Sequence, residues 1–330
     1  MTVFLGVDGG GTKTAYLLLD DAGTVLASSS GPATYHYAHG LHQVRAVLTD
    51  GVRQVCELAG IGAADIGYAF FGLPGYGESS QDVQRLDDLP RAVLPDGNYA
   101  CDNDMVCAWA GSLPDGDGIN VVSGTGSIAY GEHAGERARA GGWGEAFGDE
   151  GSGHWIGIRG LAAFAQSSDG RLPRGPLHEM IARRLGVEHD LDVVDVVLKR
   201  WGRSRREIAA LSRLVVEAAA AGDTAADGIL AEAAAELGRL VDALRRRLGY
   251  GAEQIVPVSC SGGVFTAARI ADDFARVVAG MPGRVELRVP AHLPVVGAAL
   301  QAARLAGSPI PAGVLGRLRA VPAAQGGGVR

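Results

Sequence analysis

Short apolar runs alternate with longer stretches of helical spacing in the first third of the chain. Val3–Val7, Ala15–Leu19 and Val25–Ser29 predict three strands joined by tight turns, as in an antiparallel meander. Apolar residues then recur at helical spacing across His39–Gly60. The pattern continues with strand Gly67–Gly72, helix Gln81–Val93, strand Asn98–Cys101 and helix Met105–Gly111. Because these later strands alternate with helices, we expect parallel pairing through crossovers.

The same opening pattern returns in the second part of the chain. Gly118–Ser123 predicts a strand that meets a glycine turn, and Ser127–Gly131 and Arg137–Gly142 predict two further strands. The stretch that follows is rich in Ala, Leu and Arg and is mostly helical in pattern, most clearly at Val193–Trp201, Arg205–Ala221 and Thr224–Leu248. The last predicted elements are strand Gln254–Ser259, helix Val264–Ala279, strand Arg284–Val289 and helix Val295–Ala306.

Two α/β halves that open alike indicate a duplicated fold with a ligand cleft between the halves. We expect an N-terminal domain at 1–116 and a C-terminal domain at 117–306, the latter with a helical insertion at about 155–249. The final helix, 294–306, is expected to pack back onto the first domain. Residues 307–330 form a tail that we expect to be disordered from about Ala320.

Composition places this pattern in a folded protein. The 330 residues include 50 glycines and 14 prolines, together about 19% of the chain. This share is below the roughly 25–30% that is typical of low-complexity disorder. Since 47% of residues are hydrophobic and 20% are charged, the excess glycine must lie within a globular protein.

Charge and cysteine usage narrow the function classes. The net charge of −7 argues against a general nucleic-acid binder. The four cysteines form no C-x-x-C pair, and no apolar run approaches the roughly 18 residues that span a membrane. The N-terminus lacks the pattern of a secretory signal. We therefore expect a cytoplasmic protein with reduced thiols and without nucleic-acid or membrane partners.

The first motif with candidate chemistry is a glycine turn between two predicted strands, Asp8-Gly9-Gly10-Gly11-Thr12-Lys13-Thr14. Consecutive glycines let backbone N–H groups approach an anion closely. Asp8, at the end of a strand, could hold Mg²⁺ directly or through water. The spacing matches neither a P-loop nor a dinucleotide fingerprint, because the turn leads into a strand. The alternative is a plain glycine hairpin.

Two further glycine turns have similar chemistry. Ser123-Gly124-Thr125-Gly126-Ser127 also lies between two predicted strands, so that two such turns could hold one phosphate chain. Ser261-Gly262-Gly263 follows a strand and opens a helix. Its small residues would let an adenosine lie against the backbone, although an ordinary strand-to-helix turn has the same composition.

Asp102-Asn103-Asp104 follows a predicted strand and precedes a short helix. Ligands of α/β sheets gather at the carboxyl ends of strands, where a carboxylate could accept the proton of an attacking hydroxyl. Helix capping is the alternative, because Asp and Asn both cap well. Both hold if Asp102 or Asn103 caps the helix and Asp104 faces the ligand.

The segment 141–153 is too rich in glycine for a helix and too long for a tight turn. Loops of this kind usually exist for function. Asp149, Glu150 and Ser152 could hydrogen-bond sugar hydroxyls, and Trp143 could supply an apolar wall. A flexible loop without a ligand is the alternative.

Taken in order, these five motifs resemble the actin-like sugar kinase fold, with duplicated ribonuclease H-like domains flanking a nucleotide cleft. The chain most resembles the N-acetylglucosamine kinase group of the BadF/BadG/BcrA/BcrD-type ATPase family over most of residues 3–306. The sharpest stretches are DGGGTKT at 8–14, SGTGS at 123–127 and GGWGEAFGDEGSG at 141–153.

The resemblance implies ATP and Mg²⁺ as cofactors, Asp8 at the metal and Asp104 as the base that activates the 6-hydroxyl of the sugar. The ATP-binding residues would be Gly9, Gly10, Gly11, Thr12, Lys13, Ser123, Gly124, Thr125, Gly126, Ser127, Gly262 and Gly263. The sugar-binding residues would be Tyr35, Asn103, Asp104, Trp143, Gly144, Asp149 and Glu150.

The chain departs from the family pattern in two segments. Amino-sugar kinases tend to have a sugar-contacting Asn where this chain has Tyr35, within Ala33-Thr34-Tyr35-His36. The segment 72–77 also differs from the small, polar segment common in the family. These departures leave the exact sugar open. The zinc-binding Cys cluster of the other large bacterial sugar-kinase group is absent from the sequence.

The leading hypothesis is therefore an ATP-dependent kinase of N-acetylglucosamine or glucosamine that acts on a small-molecule sugar, with a homodimer as the expected assembly. The alternatives are a kinase of another hexose or hexosamine, an ATPase activator component of the BadF/BadG type, and a sugar sensor without catalysis. The scattered cysteines argue against the activator, which would cluster them at an iron–sulfur site, and the presence of Asp104 argues against the sensor.

Overall fold

The computed structural model describes residues 1–316, within which there are ten strands and twelve α-helices. The strands are β1 (Val3–Gly9), β2 (Thr14–Asp20), β3 (Val25–Gly31), β4 (Ile66–Leu73), β5 (Tyr99–Asn103), β6 (Gly118–Ser123), β7 (Ser127–His133), β8 (Glu136–Gly141), β9 (Ile255–Ser261) and β10 (Arg284–Arg288). The tail predicted to be disordered from about Ala320 lies outside the described residues.

The helices are α1 (His36–Ala59), α2 (Ser80–Asp87), α3 (Asp104–Ser112), α4 (Gly153–Ser168), α5 (Pro176–Leu185), α6 (Val193–Asp195), α7 (Arg205–Ala210), α8 (Ser212–Ala220), α9 (Thr224–Arg247), α10 (Ala268–Ala279), α11 (Pro294–Leu305) and α12 (Ala312–Leu315). The chain divides into two compact units. Unit 1 is Met1–Gly116 with the described part of Val289–Arg330, and unit 2 is Asp117–Arg288.

Each unit is built on one five-stranded sheet, and the two sheets share one strand order. In unit 1 the order is β3-β2-β1-β4-β5, and in unit 2 it is β8-β7-β6-β9-β10. In both, the first three strands pair antiparallel and the last two are parallel to the first. The repeated order confirms the predicted duplicated α/β fold and the predicted meanders.

The apolar stripe of α1 forms the core of unit 1. Val44, Leu48, Val52 and Val55 are buried in one hydrophobic cluster with strand residues such as Leu5. In unit 2 the corresponding helix is α9, whose Leu237 and Val241 are buried in one hydrophobic cluster with residues of β6 and β9.

Several predicted helices are shorter than their apolar patterns. The helix predicted over Gln81–Val93 ends at Asp87, and Pro90 opens a separate 3₁₀ turn because proline cannot continue an α-helix without losing a hydrogen bond. The helix predicted over Arg205–Ala221 is divided into α7 and α8. At the break, the Ser212 hydroxyl donates to the Ala209 carbonyl at 2.7 Å and competes with the backbone ladder.

Three glycines bring α11 against α3 and β1. A Cβ at Gly297 would overlap the Cys107 carbonyl and the Gly111 amide, and a Cβ at Gly111 would lie 2.8 Å from the Leu293 carbonyl oxygen. A Cβ at Gly6, on β1, would lie 2.6 Å from the Val295 carbonyl oxygen. The absence of side chains at these positions therefore sets the spacing of α11, α3 and β1 in unit 1.

We expect Gly297→Ala to lower the free energy of unfolding by about 1–3 kcal/mol, because the added methyl must push backbone apart. Gly228→Ala is the matched control: Gly228 is also helical, but a Cβ there meets nothing within 4 Å. That change should raise stability by up to about 1 kcal/mol through helix propensity. Urea unfolding of both variants measures the difference. Equal stabilities would contradict the proposed close packing.

Candidate functional site

In unit 1, Asp8 lies near the carboxyl end of β1, at the start of the first glycine turn. Asp8 pairs with Ala15 and Gly9 pairs with Thr14 across the hairpin, so residues 10–13 form the turn itself. Gly11, Thr12 and Lys13 are exposed. The tip of this turn is therefore open to a ligand.

The base of the turn is fixed by a neighbouring segment. The Thr34 amide donates to the Gly10 carbonyl at 3.3 Å, and the Thr14 hydroxyl donates to the Thr34 hydroxyl at 3.1 Å. A Cβ at Gly9 would overlap that hydroxyl and lie 2.7 Å from the Gly72 carbonyl oxygen. Gly9 is therefore required for close packing, whereas a Cβ at Gly11 would meet nothing within 4 Å.

Asp104 is the first residue of α3. Asn103 caps this helix: its side-chain oxygen accepts from the Met105 amide at 3.1 Å, and its Nδ2 donates to the Tyr76 carbonyl at 3.0 Å. A Cβ at Gly72 would lie 3.2 Å from the Asp104 Cα and would overlap the Cys107 sulfur. The cap and Gly72 thus set the position of Asp104 at the carboxyl end of the sheet.

Burial and charge raise the pKa of both carboxyl groups. Burial and then Glu78 raise the pKa of Asp104 to about 7, against the opposing effect of backbone N–H groups. Burial and then Asp104 raise the pKa of Asp8 to about 8, although Lys13 lowers it. A base with a pKa near 7 is well matched to accepting a proton at neutral pH.

These carboxylates fit a magnesium site that is completed by a ligand. The negative charge of Asp104 disfavours ionised Asp8, and a divalent cation would relieve that repulsion. Within residues 1–316, no cluster of three or more His, Cys, Asp or Glu side chains could hold a metal ion alone. Mg²⁺ commonly takes one or two protein carboxylates and fills its shell with water and phosphate oxygens.

Tyr35 lies at the N-cap of α1, in the segment that departs from the family pattern. Its ring meets the Tyr37 ring edge-on, with centroids 5.6 Å apart. A Cβ at Gly75 would lie 3.2 Å from the Tyr35 ring and 3.1 Å from the His36 ring. The two departing segments, 33–36 and 72–77, therefore contact each other.

In unit 2, the second glycine turn is joined to the glycine-rich loop 141–153. The Ser123 hydroxyl donates to the Gly151 carbonyl at 3.0 Å, and the Ser127 hydroxyl donates to the Glu150 carbonyl at 2.7 Å. The Gly153 amide donates to the Gly124 carbonyl at 2.8 Å. Both serine hydroxyls are therefore engaged inside the unit, while Thr125 between them is exposed.

The glycine-rich loop exposes two aromatic side chains and buries one acid. Trp143 is 63% exposed and Phe147 is 78% exposed, whereas Asp149 is 3% exposed. Burial raises the pKa of Asp149, while Arg205 and the amides of Ser127 and Gly144 oppose that rise. Asp149 has a φ of 57°, a left-handed conformation that is uncommon for residues other than glycine.

A cavity of about 930 Å³ opens beside this turn within unit 2. Gly124 and Thr125 line one part of it, and Gly263 and Val264 line another. The Gly262 backbone has a φ of 100°, and a Cβ there would overlap the Ser123 carbonyl. The second and third glycine turns thus border one cavity, which is large enough for a nucleoside.

Helices α7 and α8 complete the cavity wall, which the sequence patterns did not predict. They contribute Arg206, Glu207, Ala209, Ala210, Ser212, Arg213, Val216 and Glu217. Alanines and arginines on amphipathic helices are ordinary surface residues in sequence, so no local signal marks them as lining a cavity.

Comparison with known proteins assigns this arrangement to a family. The model of the BadF/BadG/BcrA/BcrD ATPase family matches residues 5–302. The chain belongs to this family.

Two curated relatives of this family member are named as kinases of amino sugars. This chain is 31% identical over 278 residues to the N-acetylmuramic acid/N-acetylglucosamine kinase of Clostridium acetobutylicum. The match covers 84% of this chain and 90% of that protein. The chain is 24% identical over 258 residues to the glucosamine kinase of Vibrio cholerae, covering 77% and 83% of the two chains.

A solved structure extends the likeness to the fold. A proposed N-acetylglucosamine kinase of Chromobacterium violaceum matches with a TM-score of 0.67 at 25% identity. The match covers 91% of this chain and 98% of that one. The family resemblance of the sequence motifs is therefore confirmed by both sequence and structure.

The structure groups the predicted site residues of this ATPase-family member within its two units. Unit 1 brings together Asp8, the turn 9–13, Tyr35, Asn103 and Asp104. Unit 2 brings together the turn 123–127, the loop 141–153 and Gly262–Gly263. The four cysteines lie on four different elements, α1, β5, α3 and β9. Among the described helices, none is long and apolar enough to cross a membrane.

Proposed function

We propose that this chain is an ATP-dependent amino-sugar kinase that phosphorylates the 6-hydroxyl of N-acetylglucosamine or glucosamine. The observation that carries the proposal is the pair of half-buried carboxyl groups, Asp8 and Asp104, whose charges interact at the carboxyl end of one sheet. The names of the two curated relatives support an amino sugar as the acceptor. Hexosamine-dependent formation of ADP tests the proposal.

Unit 1 supplies the acceptor chemistry in this proposal. Asp104 accepts the proton of the sugar hydroxyl while that oxygen bonds to the γ-phosphorus, and the bond to the oxygen of the departing ADP breaks. Asn103 contributes by fixing the start of α3, since its amide is engaged in two internal hydrogen bonds. Tyr35 forms part of the wall against which the sugar lies.

We assign phosphate binding to the two glycine turns. The exposed tip of the first turn, with Lys13, and the amides of the second turn, around Thr125, bind phosphate oxygens. Adenosine occupies the cavity beside Gly263. Asp8 would hold Mg²⁺, which when bound neutralises charge on the phosphates.

The glycine-rich loop supplies further sugar contacts. Trp143 is exposed and offers an apolar face, and Gly144 and Glu150 offer backbone and carboxylate groups. Asp149 is buried and paired with Arg205, and this contact holds the loop in place for binding the sugar. Exclusion of water from the bound sugar would limit ATP hydrolysis.

Two adjacent glycines separate the structural and binding roles of the third turn. Gly262→Ala should cost about 2 kcal/mol of stability, because φ is 100° and the Cβ overlaps the Ser123 carbonyl. Gly263→Ala should leave the melting temperature unchanged, since a Cβ there meets nothing within 4 Å. It should instead raise KM for ATP about tenfold, because the methyl occupies nucleotide space.

Thermal unfolding measures the stability of the two variants, and initial-rate kinetics measure their KM for ATP. Unchanged KM for ATP in Gly263→Ala would place adenosine elsewhere. Unchanged stability in Gly262→Ala would contradict the close approach to Ser123.

We further propose that the enzyme acts in the cytoplasm as a homodimer. Light scattering on the purified protein distinguishes a dimer from a monomer of 33.9 kDa.

A further inference from the structure

Arg205, the first residue of α7, forms an ion pair that none of the sequence motifs reveals. Its Nη2 pairs with the Asp149 carboxylate, and its Nε lies 3.4 Å from Glu145 Oε2. The side chain of Asp149 is almost fully buried, whereas that of Arg205 is 36% exposed. A single guanidinium thus joins two acids of the glycine-rich loop to a helix of the insertion.

This ion pair is packed against Gly126 of the second glycine turn. A Cβ at Gly126 would overlap Arg205 Nη2 and lie 2.7 Å from Asp149 Oδ2. The pair therefore occupies the space that a side chain at Gly126 would need. The backbone amides of Ser127 and Gly144 lower the pKa of Asp149 as well, so they face its carboxylate. One carboxylate consequently connects the turn, the loop and Arg205.

The same helix reaches the nucleotide cavity. The residues that follow Arg205, from Arg206 to Ala210, include four that line the cavity wall. Arg205 stands where the cavity, the phosphate-binding turn and the sugar-facing loop adjoin. A guanidinium has several donors in a fixed plane, so it can hold two carboxylates at once, which the single ammonium of lysine does less well.

We propose that Arg205 is a positioning residue for phosphoryl transfer, which acts through Asp149 to hold the turn 123–127 and the loop 141–153 in their reactive arrangement. This inference rests on the proposed kinase function. Removing Arg205 would leave the Asp149 carboxylate buried without its cation, so the carboxylate would shift and the turn would lose its support.

The test compares Arg205→Met and Arg205→Lys with Arg159→Met. Arg159 is a matched control because it forms an exposed Arg–Glu pair between α4 and α9, at Glu232. We expect Arg205→Met to lower kcat about 100-fold, since displacements of about 1 Å have effects of that size. Arg205→Lys should lose about tenfold, and Arg159→Met should retain wild-type kinetics. The melting temperature of Arg205→Met should fall, because the buried Asp149 carboxylate loses its cation, so its kcat is corrected for the folded fraction.

A double-mutant cycle tests the route through Asp149. If Arg205 acts through that residue, Arg205→Met combined with Asp149→Asn should be no more than about threefold worse than the poorer single variant. If the kcat losses of the two single variants multiply in the double variant, Arg205 does not act through Asp149. Unchanged kcat in Arg205→Met, or a kcat loss that vanishes after correction for the folded fraction, would overturn the positioning role.

Two further outcomes are also decisive. If Arg205→Met fails to fold, Arg205→Lys decides alone: a tenfold loss of kcat at unchanged melting temperature supports the role, and wild-type kcat overturns it. If the wild-type protein phosphorylates no hexosamine, the proposed function fails. ADP affinity then decides the inference, because a Kd raised at least tenfold in Arg205→Met supports it and an unchanged Kd overturns it.

Discussion

Asp104→Asn is expected to lower kcat by about 10²- to 10⁴-fold, the usual contribution of a general base. Asparagine has the same shape but cannot take up the proton of the sugar hydroxyl. The Asn103 cap does not involve the side chain of Asp104, so α3 should begin at the same place. Binding of ADP, measured by calorimetry, should stay within about twofold of wild type.

Asp102→Asn is the control for this prediction. Asp102 lies two residues away on β5, and its Oδ1 accepts from the Asn103 amide at 2.7 Å, which an asparagine oxygen can also do. We expect this variant to retain kcat within about tenfold. Turnover by Asp104→Asn at the rate of Asp102→Asn would remove Asp104 from the role of base.

Asp8→Asn is expected to lower kcat about 100-fold or more at a fixed Mg²⁺ concentration, because the carboxylate proposed to hold the metal is lost. The Mg²⁺ concentration for half-maximal rate should rise as well. Stability should hold or increase, since a neutral amide removes the repulsion between Asp8 and Asp104. This variant would then lose activity without losing stability.

A binding measurement makes this prediction independent of turnover. Wild-type protein should bind ADP more tightly with Mg²⁺ than without it, and Asp8→Asn should lose that difference. An unchanged Mg²⁺ dependence in both rate and ADP affinity would show that the metal binds elsewhere.

The strands and the candidate site residues of unit 1 were predictable, because their signals are local in sequence. The runs at β1, β2 and β3 are short, apolar and separated by turns, so their pairing follows from proximity. Asp8 and Asp104 each lie where a strand ends, and parallel strands bring their carboxyl ends to one edge. The amino-acid sequence alone therefore suffices to place the two carboxylates at the same edge of a sheet.

The candidate site residues of unit 2 were less predictable, because their contacts join segments that are distant in sequence. Arg205 pairs with Asp149 across 56 positions, and no periodicity links them. The hydroxyls of Ser123 and Ser127 fit phosphate binding by composition, yet both donate to backbone of the glycine-rich loop. Hydroxyl direction depends on tertiary neighbours, which a motif does not specify.

ADP formation by the purified protein across a panel of hexoses and hexosamines tests the central claim most directly. With ATP and Mg²⁺ present, we expect ADP to form on addition of N-acetylglucosamine or glucosamine, and phosphorus NMR to place the new phosphate on the 6-hydroxyl. Neither glucose nor water alone should support comparable turnover. ADP formation with non-amino sugars alone, or with no sugar of the panel, would contradict an amino-sugar kinase.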